Sequence, residues 1–231
     1  MALLQDYLAK LIEIKRAAVP VSALPDEQPD LLSAMIAARN AKDALSDDEL
    51  RSMAYLLLIA GHETTVGLIG NTLLHLLRDP EQLALLRADA ALVKQAVEET
   101  LRYDGSVHRT TFRVTIEDVT IGDTTIPSGS FVQVLIAALN RDPARFEDPD
   151  RFDITRTIKQ HLAFGYGPHF CLGSHLARME AQTAVGRVVK AFPQIALACA
   201  AEDIPWVSTV IRGAQSMPVN LGAAPAVLEA Q

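Results

Sequence analysis

Apolar residues fall at Leu4, Tyr7, Leu8, Leu11 and Ile12, the spacing of one helical face, and predict a first helix over residues 3–17. It starts directly after Met1-Ala2, as expected of a chain that begins inside an amphipathic helix. Three prolines and two acids make residues 20–29 a connector. Asp30 then caps a second short helix over 30–40. Ser46-Asp47-Asp48-Glu49 is a capping box with extra acid in the first turn. Nothing stops the helix it starts before Arg78-Asp79-Pro80, so 46–78 is the longest helix. Between Met53 and Ala60 this helix is apolar all round, the pattern of a helix running through the middle of a protein. Asp79-Pro80 reads as N-cap and first position of a helix to Ala88, and 90–102 forms another.

From 110 to 135 the period shortens to two. Phe112-Arg113-Val114-Thr115, Val119-Thr120-Ile121 and 131–135 are β-branched and alternating, punctuated by Gly122-Asp123 and Pro127-Ser128-Gly129, which predicts a small sheet. A helix over 174–192 follows a glycine-rich loop. Residues 193–221 read as short strands and turns, and the Ala-rich C-terminus as frayed. The class is mainly α with small β-sheets (α+β), in one domain over 1–231.

Chemistry concentrates in that loop, Phe164-Gly165-Tyr166-Gly167-Pro168-His169-Phe170-Cys171-Leu172-Gly173. A thiol just ahead of a helix N-terminus faces unpaired N–H groups and the positive end of the helix dipole, and both favour thiolate and metal binding. The glycines permit close approach of a flat ligand, and Phe164 and Phe170 can shield the sulfur. The alternative is a buried structural cysteine beside a turn. A second unusual stretch, Ala60-Gly61-His62-Glu63-Thr64-Thr65, lies inside the long helix. Ala60 and Gly61 open a gap for a flat ligand, Thr64 can bond the carbonyl of Ala60, and Glu63 and Thr64 could relay protons. The alternative there is a helix–helix contact with a surface Glu.

Composition narrows the partners. The chain has 231 residues, 49% of them hydrophobic, and a net charge of -7, which argues against nucleic acid and anionic membranes. Cys171 and Cys199 are too few and too separated for a disulfide framework, which points to a reducing, cytoplasmic setting. The run 53–61 is too short to span a bilayer and ends at His62-Glu63, so no membrane partner is expected.

Taken together, the loop resembles the heme-binding loop F-x-x-G-x-H-x-C-x-G of the cytochromes P-450, matched by Phe164, Gly167, His169, Cys171 and Gly173. Leu176-Ala177-Arg178 continues the match, and the Ala60-to-Thr65 stretch is similar to the family's A-G-x-E-T-T. Glu99-Thr100-Leu101-Arg102 followed by Pro149-Asp150-Arg151-Phe152 resembles the E-x-x-R and P-E-R-F segments. The resemblance implies the cytochrome P-450 fold lacking its N-terminal portion, with heme b as cofactor. It implies Cys171 as iron ligand, Glu63 and Thr64 as the proton-delivering pair, and Ala60, Gly61, Phe164, Gly165, His169 and Gly173 against the heme. Glu99, Arg102 and Arg151 would form a buried triad. Arg113 would pair with a heme propionate or, equally, be an exposed strand arginine. Val107, Val210 and Ile211 would reach the substrate pocket, or simply be core.

The implied activity is that of a monooxygenase using dioxygen on an apolar small molecule, with electrons from a ferredoxin- or flavoprotein-type donor. The alternative is a heme-binding or structural remnant without turnover. With part of the fold missing, one side of the central helix should lie uncovered.

Overall fold

The computed structural model describes residues 2–20, 22–39, 45–157, 160–208 and 210–223. The frayed C-terminal tail expected beyond these lies outside the described residues. The chain packs as two compact units, Met1–His62 and Glu63–Gln231, with the boundary inside one continuous helix.

In the first unit, α1 (Ala2–Ala18), α2 (Leu31–Arg39) and the first turns of α3 (Asp47–Arg78) bury Ile12, Ile36, Leu50 and Ala54 together. The caps form as the sequence dictates. Asp30 accepts the N–H of Ser33 at 2.9 Å, while its other oxygen takes the ammonium of Lys15. Ser46 and Glu49 close a reciprocal box, Ser46 N–H to Glu49 at 2.8 Å and Glu49 N–H to the Ser46 hydroxyl at 3.2 Å. Asp47, in the first turn of α3, also pairs with Arg16 and Arg39, each at 2.6 Å.

Over 56–62 the helix is not surrounded by protein, and the uncovered side expected of it lies there. Leu56 is 58% and Ile59 47% exposed, because α1 and α2 cover only the face of α3 carrying Leu50 and Ala54. The pattern expected of a central helix holds further along, where Leu68, Leu74 and Leu76 are buried. By length and composition alone α3 could cross a membrane, with a mean hydropathy of 1.3 in its most apolar window. The short run at 53–61 understated it. Its second half is instead a protein core, since Thr65, Asn71, Thr72 and His75 are buried there as well.

The second unit is built on that half of α3, α4 (Pro80–Ala88), α5 (Val93–Asp104), α6 (Ile136–Leu139) and α7 (Ser174–Ala191). Asp79 caps α4 by accepting the N–H of Gln82, with Pro80 at the first position. One core joins Leu76, Leu83, Leu86, Ala96, Ile154 and Val185. A smaller one, Leu68, Val97, Leu101 and Ala181, receives Phe164. The strands pair antiparallel in twos: β1 (Arg113–Val114) with β4 (Phe131–Val132), β2 (Val119–Ile121) with β3 (Thr124–Ile126), β5 (Ala196–Leu197) with β8 (Val219–Asn220), and β6 (Trp206–Ser208) with β7 (Arg212–Ala214). The single sheet expected over 110–135 is therefore two separate ladders. Turns with left-handed glycines at Gly122 (φ 56°) and Gly129 (φ 80°) leave each strand only two or three residues to pair.

Candidate functional site

Gly165 (φ 76°) and Gly167 (φ 77°) turn the Cys171 loop through conformations that side chains rarely adopt. The loop closes on itself when the N–H of Cys171 donates to the carbonyl of Phe164 at 2.9 Å. A 3-10 turn, Gly167–His169, carries the chain around, and the N–H of Ser174 donates to the carbonyl of Cys171 at 3.2 Å as α7 begins. Gly173 precedes α7 without any side-chain cap, so the first-turn N–H groups stay directed toward the loop. Phe164 and Phe170 flank the loop with ring centroids 6.4 Å apart, and the thiol of Cys171 belongs to a half-buried residue. Phe170 and Leu172 are exposed, giving the cysteine an apolar surround at the surface.

Among the described residues no group of three or more His, Cys, Asp or Glu could hold a metal. A lone thiol in an apolar surround does not make a protein-only metal site. It does fit an iron whose remaining ligands come from a flat macrocycle, so the donor set agrees with heme.

Behind the loop, Glu98 on α5 accepts Arg178 Nε at 2.5 Å, Arg178 Nη2 at 3.1 Å and His161 Nε2 at 3.1 Å. Burial pushes this carboxyl up, but the hydrogen bonds and charges of His161 and Arg178 outweigh it and hold it at about 2. The Arg178 guanidinium lies 4.4 Å from the centre of the Phe164 ring. Sequence reasoning did not find Glu98 or His161, and took Arg178 only as part of a motif.

Of the expected triad, Glu99 and Arg102 meet as a bidentate pair, with both bonds at 2.8 Å and side chains nearly fully buried. Arg151 does not join them. Its side chain is 65% exposed, and only its carbonyl takes part, accepting from Arg102 at 3.1 Å. The third member is Arg156, 3.2 Å from Glu99, which also donates to the carbonyls of Glu147, Asp148 and Arg151. The chain turns there through Asp148 at φ 42°, a strained conformation that these bonds hold in place. The turn directs the Arg151 side chain outward, and Arg156 reaches Glu99 in its stead.

On α3, Glu63 is exposed and Thr64 half-buried, and the carbonyl of Thr64 accepts the Ser106 hydroxyl at 2.7 Å. Ser106 follows Asp104, a second missed node. The Asp104 carboxylate receives His75 at 3.0 Å, His108 at 2.9 Å and Arg212 at 3.2 Å. Burial raises its pKa, but those bonds and charges more than reverse the effect and leave it well below the usual carboxylate range. Arg212 stacks on Trp206 at 3.8 Å, and Asn71 donates to the Asp104 carbonyl at 2.9 Å. One residue beyond Ser106, Val107 bridges to Ile211. Two of the three pocket candidates thus meet, with Val210 exposed beside them.

Ala60 and Gly61 are exposed at the end of the first unit, and a Cβ at Gly61 would meet nothing within 4 Å, so no protein packing demands that glycine. Arg113 lies exposed on β1 opposite Val132, and His169 is exposed on the 3-10 turn; among the described residues no hydrogen bond joins either side chain to the Cys171 loop. Most of these partners lie far apart in sequence, Glu98 and Arg178 by 80 residues. The one local sign of the missed nodes was the Glu98-Glu99 doublet, too many acids for Arg102 alone.

The sequence profile described as Cytochrome P450 matches residues 1–196, a span that includes the Cys171 loop. Cytochrome P450 107B1 of Saccharopolyspora erythraea is 50% identical over 219 residues, 94% of this chain and 52% of that protein. Cytochrome P450 monooxygenase PikC of Streptomyces venezuelae is 44% identical over 222 residues, 95% of this chain and 51% of that protein. The solved structure of the ligand-free P450 monooxygenase TamI superposes with a TM-score of 0.86 at 47% identity, covering 96% of this chain and 52% of that one. The chain spans about half the length of the relatives it matches. Profile, sequence identity and backbone superposition agree over most of its length: this chain belongs to the cytochrome P450 family.

Proposed function

We propose that the chain is the heme-binding C-terminal part of a single cytochrome P450 domain, and that the complete domain is a monooxygenase acting on an apolar small molecule by hydroxylation or epoxidation. The observation that carries the reading is the Cys171 loop, a half-buried thiol held by its own amide at an uncapped helix N-terminus. Heme b, once bound, supplies dioxygen activation. Cys171 then serves as the thiolate ligand. Phe164, Gly165 and Gly173 shape the surface beside it, and Ala60 and Gly61 leave room on α3. Glu63 and Thr64 hold water and pass protons, with the Thr64 carbonyl fixed by Ser106. Arg113 and His169, free to reach outward, suit two acidic substituents of the cofactor. Val107, Ile211 and Val210 line the substrate side. Electrons would come from a ferredoxin- or flavoprotein-type donor, in the cytoplasm.

The test is an absorption spectrum of the purified, hemin-loaded chain, reduced and exposed to carbon monoxide. A strongly red-shifted Soret band is expected, and Cys171→Ser should lose it. A Cys171→Ser protein with the same red-shifted band would overturn the reading. The uncovered face of α3 around Leu56 and Ile59 favours a second reading, in which this chain binds heme but does not turn over by itself. Product formation with a supplied redox partner would exclude that reading.

A further inference from the structure

A continuous set of contacts runs from a partly buried carboxylate to the backbone of Cys171. Glu98 takes two bonds from Arg178 and one from His161. His161 Nδ1 in turn accepts the N–H of Ala163 at 3.2 Å. With Nδ1 taking the amide, Nε2 is the ring nitrogen that faces Glu98. The imidazole thereby bridges α5 and the segment entering the loop. Arg178 spans the other side, bonding Glu98 while its guanidinium lies over Phe164. The carbonyl of that same Phe164 accepts the Cys171 amide. The side chains of His161 and Glu98 are 5% and 14% exposed, so the bond between them is shielded from water.

We propose that Glu98, His161 and Arg178 are positioning residues for the Cys171 loop. They fix the Phe164 carbonyl on which the Cys171 amide docks, and so set where the thiol points. The Glu99 cluster beside them does other work, holding the segment from 147 to 156. The brace stands on geometry; its value for iron binding rests on the function proposed above.

The experiment is amide hydrogen exchange on the chain without heme, read at Cys171 and, as a reference, across α4. His161→Asn keeps an acceptor for the Ala163 N–H but cannot reach Glu98. If the link to Glu98 matters, exchange at Cys171 should quicken about tenfold in His161→Asn and Glu98→Gln while α4 is unchanged. If His161 only shapes its local turn, His161→Asn will exchange like the parent, and the proposal falls. It also falls if Cys171 and α4 quicken together, the sign of general destabilisation. Should Glu98→Gln not fold, His161→Asn decides alone. In hemin-loaded protein the brace further predicts a smaller red-shifted share of the carbon monoxide band in His161→Asn. An unsubstituted chain lacking that band would sink the heme reading and leave the exchange result standing.

Discussion

Glu98 and Glu99 are neighbours on α5, about 100° apart around its axis, and each gathers a different set of cations. Glu99 holds Arg102 and Arg156, so the exposed Arg151 and the nearly buried Arg156 should behave oppositely. Arg156→Ala removes an ion pair and three carbonyl bonds and should lower unfolding stability by about 1–3 kcal/mol in urea. Arg151→Ala should change it by no more than about 0.5 kcal/mol. The reverse ranking would restore Arg151 to the triad. Glu98 makes a separate prediction. Its folded pKa of about 2 lies below its ordinary value of 4.5, so the ionised group stabilises the fold above 4.5. That contribution should fade as pH drops from 4.5 toward 2, and Asp104 adds to the loss in the same direction. Urea midpoints taken through that window should fall less steeply in Glu98→Gln than in the parent; identical slopes would remove Glu98 from the account.

Elements meet tightly where α3 passes the β6–β7 hairpin. A Cβ on Gly67 would lie 2.8 Å from the Ser106 hydroxyl and 3.2 Å from the Arg212 carbonyl, and one on Gly213 would lie 3.3 Å from Gly67. Gly67→Ala should therefore cost about 1–3 kcal/mol, and Ser106→Gly in the same chain should recover part of it. Strictly additive losses would show that the two positions do not press on each other. How legible these elements were follows from how local their causes are. The Ser46–Glu49 box, the Asp79 cap and the Cys171 loop were readable because each is written within a few residues. The length of α3 was readable too, and that one side would be uncovered, but not which side, since that depends on α1 and α2. Arg151 and Arg156 differ by five positions, and only the turn at Asp148 decides which faces Glu99. Glu98 with His161, and Asp104 with Arg212, join residues 63 and 108 positions apart, beyond any periodicity.

At the scale of the whole molecule, a net charge of -7 favours dispersal. Against it stands the α3 face with Leu56 and Ile59, both about half exposed. Contact between such faces releases ordered water, an entropic gain that weakens on cooling. Concentrated solutions should therefore cloud on warming and clear again when chilled, followed by light scattering. Leu56→Gln with Ile59→Gln should raise the clouding temperature; no change would place the adhesive surface elsewhere. The helix that carries Glu63 and Thr64 thus acts as a thermometer for the chain's colloidal state.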